Sequence, residues 1–191
     1  MKTNPLTVEQ MKGMLICEKY ISKMKHVEKN VYNVSRLLGK NITHQQSIKF
    51  GNMFQNIVKE WITSCGAIVS DIHFIDCYDT GNKKGNKGMK DMDLSFIYNE
   101  ILYYYECKVS VALDSEKTKA TNKKVQDITD YLTKTQDLPV VSGVLTVWYD
   151  KEKMPVTVNN VVFMSDLFNI FDIDLSKEEY NNILLEFGKE I

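Results

Sequence analysis

Asp91-Met92-Asp93-Leu94-Ser95-Phe96-Ile97-Tyr98-Asn99-Glu100-Ile101-Leu102-Tyr103-Tyr104-Tyr105-Glu106-Cys107-Lys108 is the stretch on which the architecture turns. Aromatic and branched residues flank Asn99-Glu100, which predicts two strands, over residues 91–98 and 101–111, joined by a tight turn. Centring the turn on Asn99 and Glu100 pairs Tyr98 with Ile101. Counted outward, Asp93 then lies opposite Glu106 and Asp91 opposite Lys108. Alternation along the strands sorts the side chains into two faces. Asp91, Asp93, Ser95, Tyr104, Glu106, Lys108 and Ser110 share one, expected to be a polar site. Met92, Leu94, Phe96, Tyr98, Ile101, Tyr103, Tyr105, Cys107 and Val109 share the other, expected to be core.

Two carboxylates facing each other across a strand pair stand roughly 4.5–5.5 Å apart at Cβ, and like charges so placed destabilise a sheet. A divalent cation between Asp93 and Glu106 relieves that repulsion. Mg²⁺ suits the pair, because it binds through one or two carboxylates and completes its shell with water and phosphate oxygens. Lys108 lies on the same face, two residues beyond Glu106. There it can orient an attacking water or stabilise charge on a phosphate, and the neighbouring carboxylates favour its charged form, which argues against a role as general base.

The run Lys90-Asp91-Met92-Asp93-Leu94 followed by Glu106-Cys107-Lys108 resembles the PD-(D/E)xK nucleases, and the small type II restriction endonucleases among them. Glu106-Cys107-Lys108 is the only acidic-x-Lys in the chain. The motif's proline is absent, with Lys90 and Met92 bracketing Asp91. Asp93 is favoured over Asp91 as the first carboxylate on register, since a one-residue slip would turn both to the other face. The resemblance spans roughly residues 51–132. It implies an α/β fold with a restriction-endonuclease-like core, a central mixed sheet flanked by helices. It also implies Mg²⁺ held by Asp93 and Glu106, with Lys108 assisting. Gly51 to Glu60 resembles the helix from which many members add a polar side chain. Gln55 is the candidate, with Glu60 behind it, although a solvated helix flank reads the same way. By analogy Lys117, Lys119, Lys123 and Lys124 face DNA phosphates, as do Lys83, Lys84, Lys87 and Lys90 of the Gly/Asn-rich loop. An ordinary solvated helix and an ordinary basic loop have the same composition.

Outward from the hairpin, the first third reads as helical. One helix begins at Thr7, a second runs over residues 27–38 and stops at Gly39, and a third is capped at Thr43 and ends at Gly66. Residues 67–69 and 73–75 read as strands, followed by a loop over 79–90. A helix starts at Asp114 and passes through Val125, Ile128 and Leu132. Strands are expected over 140–149 and 156–164, and a last helix is capped by Ser176-Lys177-Glu178-Glu179. At 191 residues and 43% hydrophobic content, the chain has the size of one domain. The expected division is a helical part at 1–45, a catalytic core at 46–164 and a helical C-terminal part at 165–191.

The net charge of −1 demands no polyanionic partner, so a DNA surface has to come from segregated charge. Arg36 is the only arginine, which leaves guanine readout to Lys, Asn, Gln or backbone groups. The four cysteines form no CxxC pair and suggest reduced thiols rather than zinc or disulfides. No signal peptide is visible and no apolar run approaches the roughly 20 residues of a membrane span, so a cytoplasmic protein is expected. His26, His44 and His73 are isolated and read as structural or exposed, Trp61 and Trp148 as packing residues, and Tyr104 as a lining of the cleft.

The functional expectation is a type II restriction endonuclease. It would cut double-stranded DNA with Mg²⁺ as a homodimer, with a matching DNA methyltransferase as genetic partner. The competing expectations are a repair nuclease or Holliday junction resolvase of the same fold, and a non-catalytic DNA-binding module.

Overall fold

The computed structural model describes residues 34–70, 73–75, 89–151 and 155–190, together with positions 10 and 13. Apart from those two positions the helix expected from Thr7 lies outside them, as do most of that expected over 27–38 and Lys83, Lys84 and Lys87. In chain order the elements are α1 (Val34–Leu37), α2 (His44–Ser64), β1 (Ile68–Val69), β2 (His73–Ile75), β3 (Met89–Asp91), β4 (Leu94–Tyr98) and β5 (Ile101–Lys108). They continue with α3 (Ser115–Thr135), β6 (Val140–Thr146), β7 (Val161–Val162), α4 (Met164–Ile170) and α5 (Lys177–Glu190). The fold is α/β, with a five-stranded mixed sheet in the order β1-β4-β5-β6-β7.

Local chemistry sets the helix boundaries. Thr43 Oγ1 accepts from Gln46 N–H (3.1 Å), while Gln46 Oε1 accepts from Thr43 N–H (2.8 Å), closing a capping box at the start of α2. At its end Gly66 N–H donates to the Thr63 carbonyl (3.0 Å) and Ala67 N–H to that of Ile62 (2.9 Å). That paired closure requires positive φ at Gly66, which adopts 91°. Asp114 caps α3 by accepting from Lys117 N–H (2.8 Å). Ser176 and Glu179 cap α5 reciprocally, Glu179 Oε2 accepting from Ser176 N–H at 2.9 Å.

The hairpin forms in the expected register. Tyr98 pairs with Ile101, Phe96 with Tyr103 and Leu94 with Tyr105. Asn99 and Glu100 both have positive φ, 48° and 61°, as a two-residue hairpin turn matched to strand twist demands. β5 then pairs in parallel with β6, and β6 with β7. α3 makes the crossover between β5 and β6.

Both faces of the sheet are covered. On one, Phe96, Tyr103, Tyr105 and Leu145 pack with α2, α4 and α5 around Trp61, Phe168 and Tyr180. The Phe96 and Tyr103 rings stack at 4.8 Å, and Tyr180 OH donates to the Val147 carbonyl (2.6 Å). On the other, Leu102, Tyr104 and Val144 pack under Val125, Ile128 and Leu132 of α3. The second face is therefore a smaller core with a polar end, not the continuous polar site that alternation suggested. Tyr104 is fully buried there rather than lining a cleft.

Four strand expectations are corrected, the first being that β5 ends at Lys108 rather than at residue 111. The strand over 91–98 is two: β3 pairs with β2 in a separate two-stranded sheet, and β4 belongs to the main one. The chain leaves the pleat between Asp91 and Leu94, so period-two counting does not carry across, and Met92 packs on the α3 side with Tyr104. The strand over 156–164 shrinks to β7, because Met164 begins α4, whose Leu167 and Phe168 fill the larger core. β6 ends at Thr146 rather than continuing to residue 149.

Candidate functional site

The polar end of the smaller core is made by the exit of β5, the break before β4 and one flank of α3. β5 carries Glu106 into it, with only 3% of the residue exposed. Glu106 Oε1 accepts from Lys108 Nζ (2.6 Å). Its Oε2 accepts from Lys124 Nζ of α3 (2.6 Å) and from Tyr104 OH (3.2 Å). Burial pushes Tyr104 far above its ordinary range, with Glu106 adding to the effect, so its hydroxyl stays a donor.

Asp93 lies one step beyond the Leu94–Tyr105 pair, which in the continued register faces Glu106. A regular ladder would send Cys107 N–H to the carbonyl of Met92. Instead Cys107 N–H donates to Asp93 Oδ2 (3.0 Å), so the side chain takes over where the backbone departs. Gln55 Nε2, reaching across from α2, donates to the Asp93 carbonyl. Backbone and carboxylate are thus both fixed, while Asp93 Oδ1 lies 3.9 Å from Lys124 Nζ.

The electrostatics follow from two carboxylates and two ammoniums in a half-buried place. Burial and then Glu106 hold the Asp93 carboxyl above its usual range, with Lys124 and Lys108 opposing. Burial also works against the Glu106 charge, but Lys108 and Lys124 outweigh it and bring that group below its usual range. Lys108 is desolvated, yet Glu106 and Asp93 more than compensate and lift it above the ordinary lysine value. Burial pushes the Cys107 thiol up, and its side chain packs on the larger core.

The structure brings together Asp93, Glu106, Lys108 and the amide of Gln55, the last on the Asp93 backbone rather than on a carboxylate. Glu60 is exposed, about 140° around α2 from Gln55 at 3.6 residues per turn. Asp91 does not lie opposite Lys108. Its backbone pairs with His73, because the chain has changed sheets. Lys90 pairs with Phe74 in the same small sheet, so the loop expected to reach residue 90 ends in a strand.

Along α3 the four lysines differ. Lys117 pairs with Asp114 and Lys123 with Asp127, both at the surface, and Lys119 is exposed. Lys124 is turned toward the carboxylates, not outward as the solvated-helix reading had it. The sequence held a signal for this. Position 124 falls three after Thr121 and four before Ile128, on the stripe that α3 buries. Tyr104 does share the face of Glu106, as expected, but as a buried donor to that carboxylate rather than as a lining of a cleft.

No family model and no curated protein matches this chain. No helix among the described residues is long and apolar enough to cross a membrane.

Proposed function

We propose that this chain is a divalent-metal-dependent phosphodiester hydrolase that cuts duplex DNA from the centre formed by Asp93, Glu106 and Lys108. The observation that carries the reading is the convergence of a buried carboxylate, Glu106, and a half-buried one, Asp93, that repel each other, with a protonated lysine at the end of one strand pair. More narrowly, the reading is a type II restriction endonuclease acting as a homodimer in the cytoplasm, accompanied by a protecting DNA methyltransferase.

The donor set fits Mg²⁺. No group of three or more His, Cys, Asp or Glu placed to hold a metal occurs among the described residues. An ion here would be held by Asp93 and Glu106 and would take its other ligands from water and substrate oxygens, the hard and sparsely protein-bound shell that Mg²⁺ accepts. When bound, the metal supplies Lewis acidity and a water of lowered pKa. The chain's own groups do the rest. Cys107 N–H and the Gln55 amide fix Asp93. Tyr104 OH and Lys108 fix the rotamer of Glu106. Lys108, held protonated by its carboxylate neighbours, orients the attacking water and offsets charge developing on the phosphate.

The test is incubation of plasmid DNA with the full chain and Mg²⁺, followed by sequencing of any ends. Cleavage that needs Mg²⁺ and disappears in Asp93→Ala supports the reading. Intact plasmid together with cleaved four-way junctions would replace restriction by junction resolution, and DNA binding without any cleavage would leave a binding module.

A further inference from the structure

Lys124, expected to face DNA phosphates, instead contacts Glu106 as closely as Lys108 does, each at 2.6 Å. It also sits nearest the gap between the carboxylates, 2.6 Å from Glu106 Oε2 and 3.9 Å from Asp93 Oδ1. Lys108 comes from the same strand as Glu106 and takes the other oxygen. Lys124 comes from a different element, on a flexible four-carbon stem that carries a point charge. Its side chain is 27% exposed, so the ammonium has a way out to solvent.

We propose that Lys124 is a displaceable internal counterion: it holds the Asp93–Glu106 pair together in the metal-free protein, leaves the gap when a divalent cation enters, and then presents its ammonium to the arriving phosphate. This rests on the metal-site reading above. Two like-signed charges cannot share a gap this narrow without strong repulsion, so ion entry and the present position of Lys124 exclude each other. Lys108 binds the other oxygen of Glu106, from the same strand, and is the cation expected to stay. Thr129 Oγ1 to Ser142 Oγ (2.7 Å) and Asn159 N–H to Asn122 Oδ1 (2.9 Å) pin α3 to its surroundings on either side. The side chain therefore moves and the helix stays.

Mn²⁺ serves as the probe, with its affinity for the full chain measured by titration calorimetry. Lys124→Met and Lys124→Gln are expected to bind Mn²⁺ about tenfold more tightly than the wild type, the equivalent of one charge-assisted hydrogen bond no longer competing. Asp93→Asn is expected to bind none. In the unmodified protein, pulse acetylation read by mass spectrometry should show Lys124 several-fold more reactive once Mn²⁺ saturates, with Lys108 unchanged. This second arm decides the matter if the variants fail to fold. Equal Mn²⁺ affinity in wild type and variants, or unchanged Lys124 reactivity at saturation, overturns the inference and leaves the metal site standing. Absence of any Mn²⁺ binding that depends on Asp93 overturns both.

Discussion

Asp93 and Glu106 are displaced in opposite directions, so they act oppositely on stability. Asp93, raised by burial and by Glu106, favours the fold when protonated. Its contribution is full below 3.8 and is lost as pH rises through its higher folded value. Glu106, lowered by its lysines against burial, contributes above 4.5 and loses that contribution as pH falls through its folded value. In the metal-free protein at pH 7, Asp93→Asn should therefore raise the melting temperature and Glu106→Gln should lower it, since the latter also strips two ammoniums of their partner. Calorimetric melts of both variants check this, and shifts of the same sign would contradict the charge arrangement. For activity, Asp93→Ala, Glu106→Ala and Lys108→Ala should each cost about 10²-fold or more in cleavage rate, the scale of losing a charge stabiliser. Because Asp93 lies in the break before β4 and Lys108 is the last residue of β5, both partly exposed, circular dichroism of those two variants should stay native.

The elements divide into those that local chemistry dictates and those that only packing decides. The α2 cap at Thr43, its stop at Gly66 and the hairpin register were legible, because each rests on a residue with one suitable conformation or partner. The break at Met92 and the helix α4 were not legible. Nothing local distinguishes a strand that continues from one that changes sheets, and Met164 to Ile170 is too short for helical periodicity to show. The Asp93–Glu106–Lys108 face was legible from register. Lys124 was read as facing DNA phosphates and Tyr104 as lining a cleft, and neither was read as a partner of Glu106, because a contact made only when α3 packs on the sheet leaves no mark in the local sequence.

Two glycines give the element scale a direct test. A Cβ at Gly188 of α5 would lie 1.9 Å from the Leu38 carbonyl oxygen just after α1. Gly188→Ala must push the two segments apart and should cost about 1–3 kcal/mol in urea denaturation. At Gly51 of α2, by contrast, a Cβ would meet only Val109 Cγ2 at 3.4 Å, an ordinary contact. Gly51→Ala should therefore be neutral or add up to about 1 kcal/mol through helix propensity. At the turn, Glu100 holds a left-handed conformation that costs a non-glycine residue about 1 kcal/mol, so Glu100→Gly should stabilise the fold by a similar amount.

For the whole molecule, the discriminating measurement is the pattern of products. A symmetric dimer that reads two half-sites before cutting yields discrete plasmid fragments, since each wrong base pair costs roughly 1–3 kcal/mol. A smear that persists at limiting enzyme and rising salt would refute restriction while leaving DNA hydrolysis intact. Ca²⁺ should sustain binding without cleavage, because its larger and looser shell orients water and phosphate poorly. A gel shift showing no DNA affinity in Ca²⁺, at a salt concentration where Mg²⁺ supports cutting, would count against the metal-dependent reading.

All four charged groups of the centre lie between Asp93 and Lys124, on one uninterrupted run through β4, the turn, β5 and the first half of α3. Gln55 reaches in from outside that run. Contacts that close short loops cost little chain entropy and form early, so this segment has the makings of a folding nucleus. One peptide of modest length thus carries every charge of the centre, while the rest of the chain holds it in place, through Gln55 on the Asp93 backbone and Asn159 on Asn122 of α3.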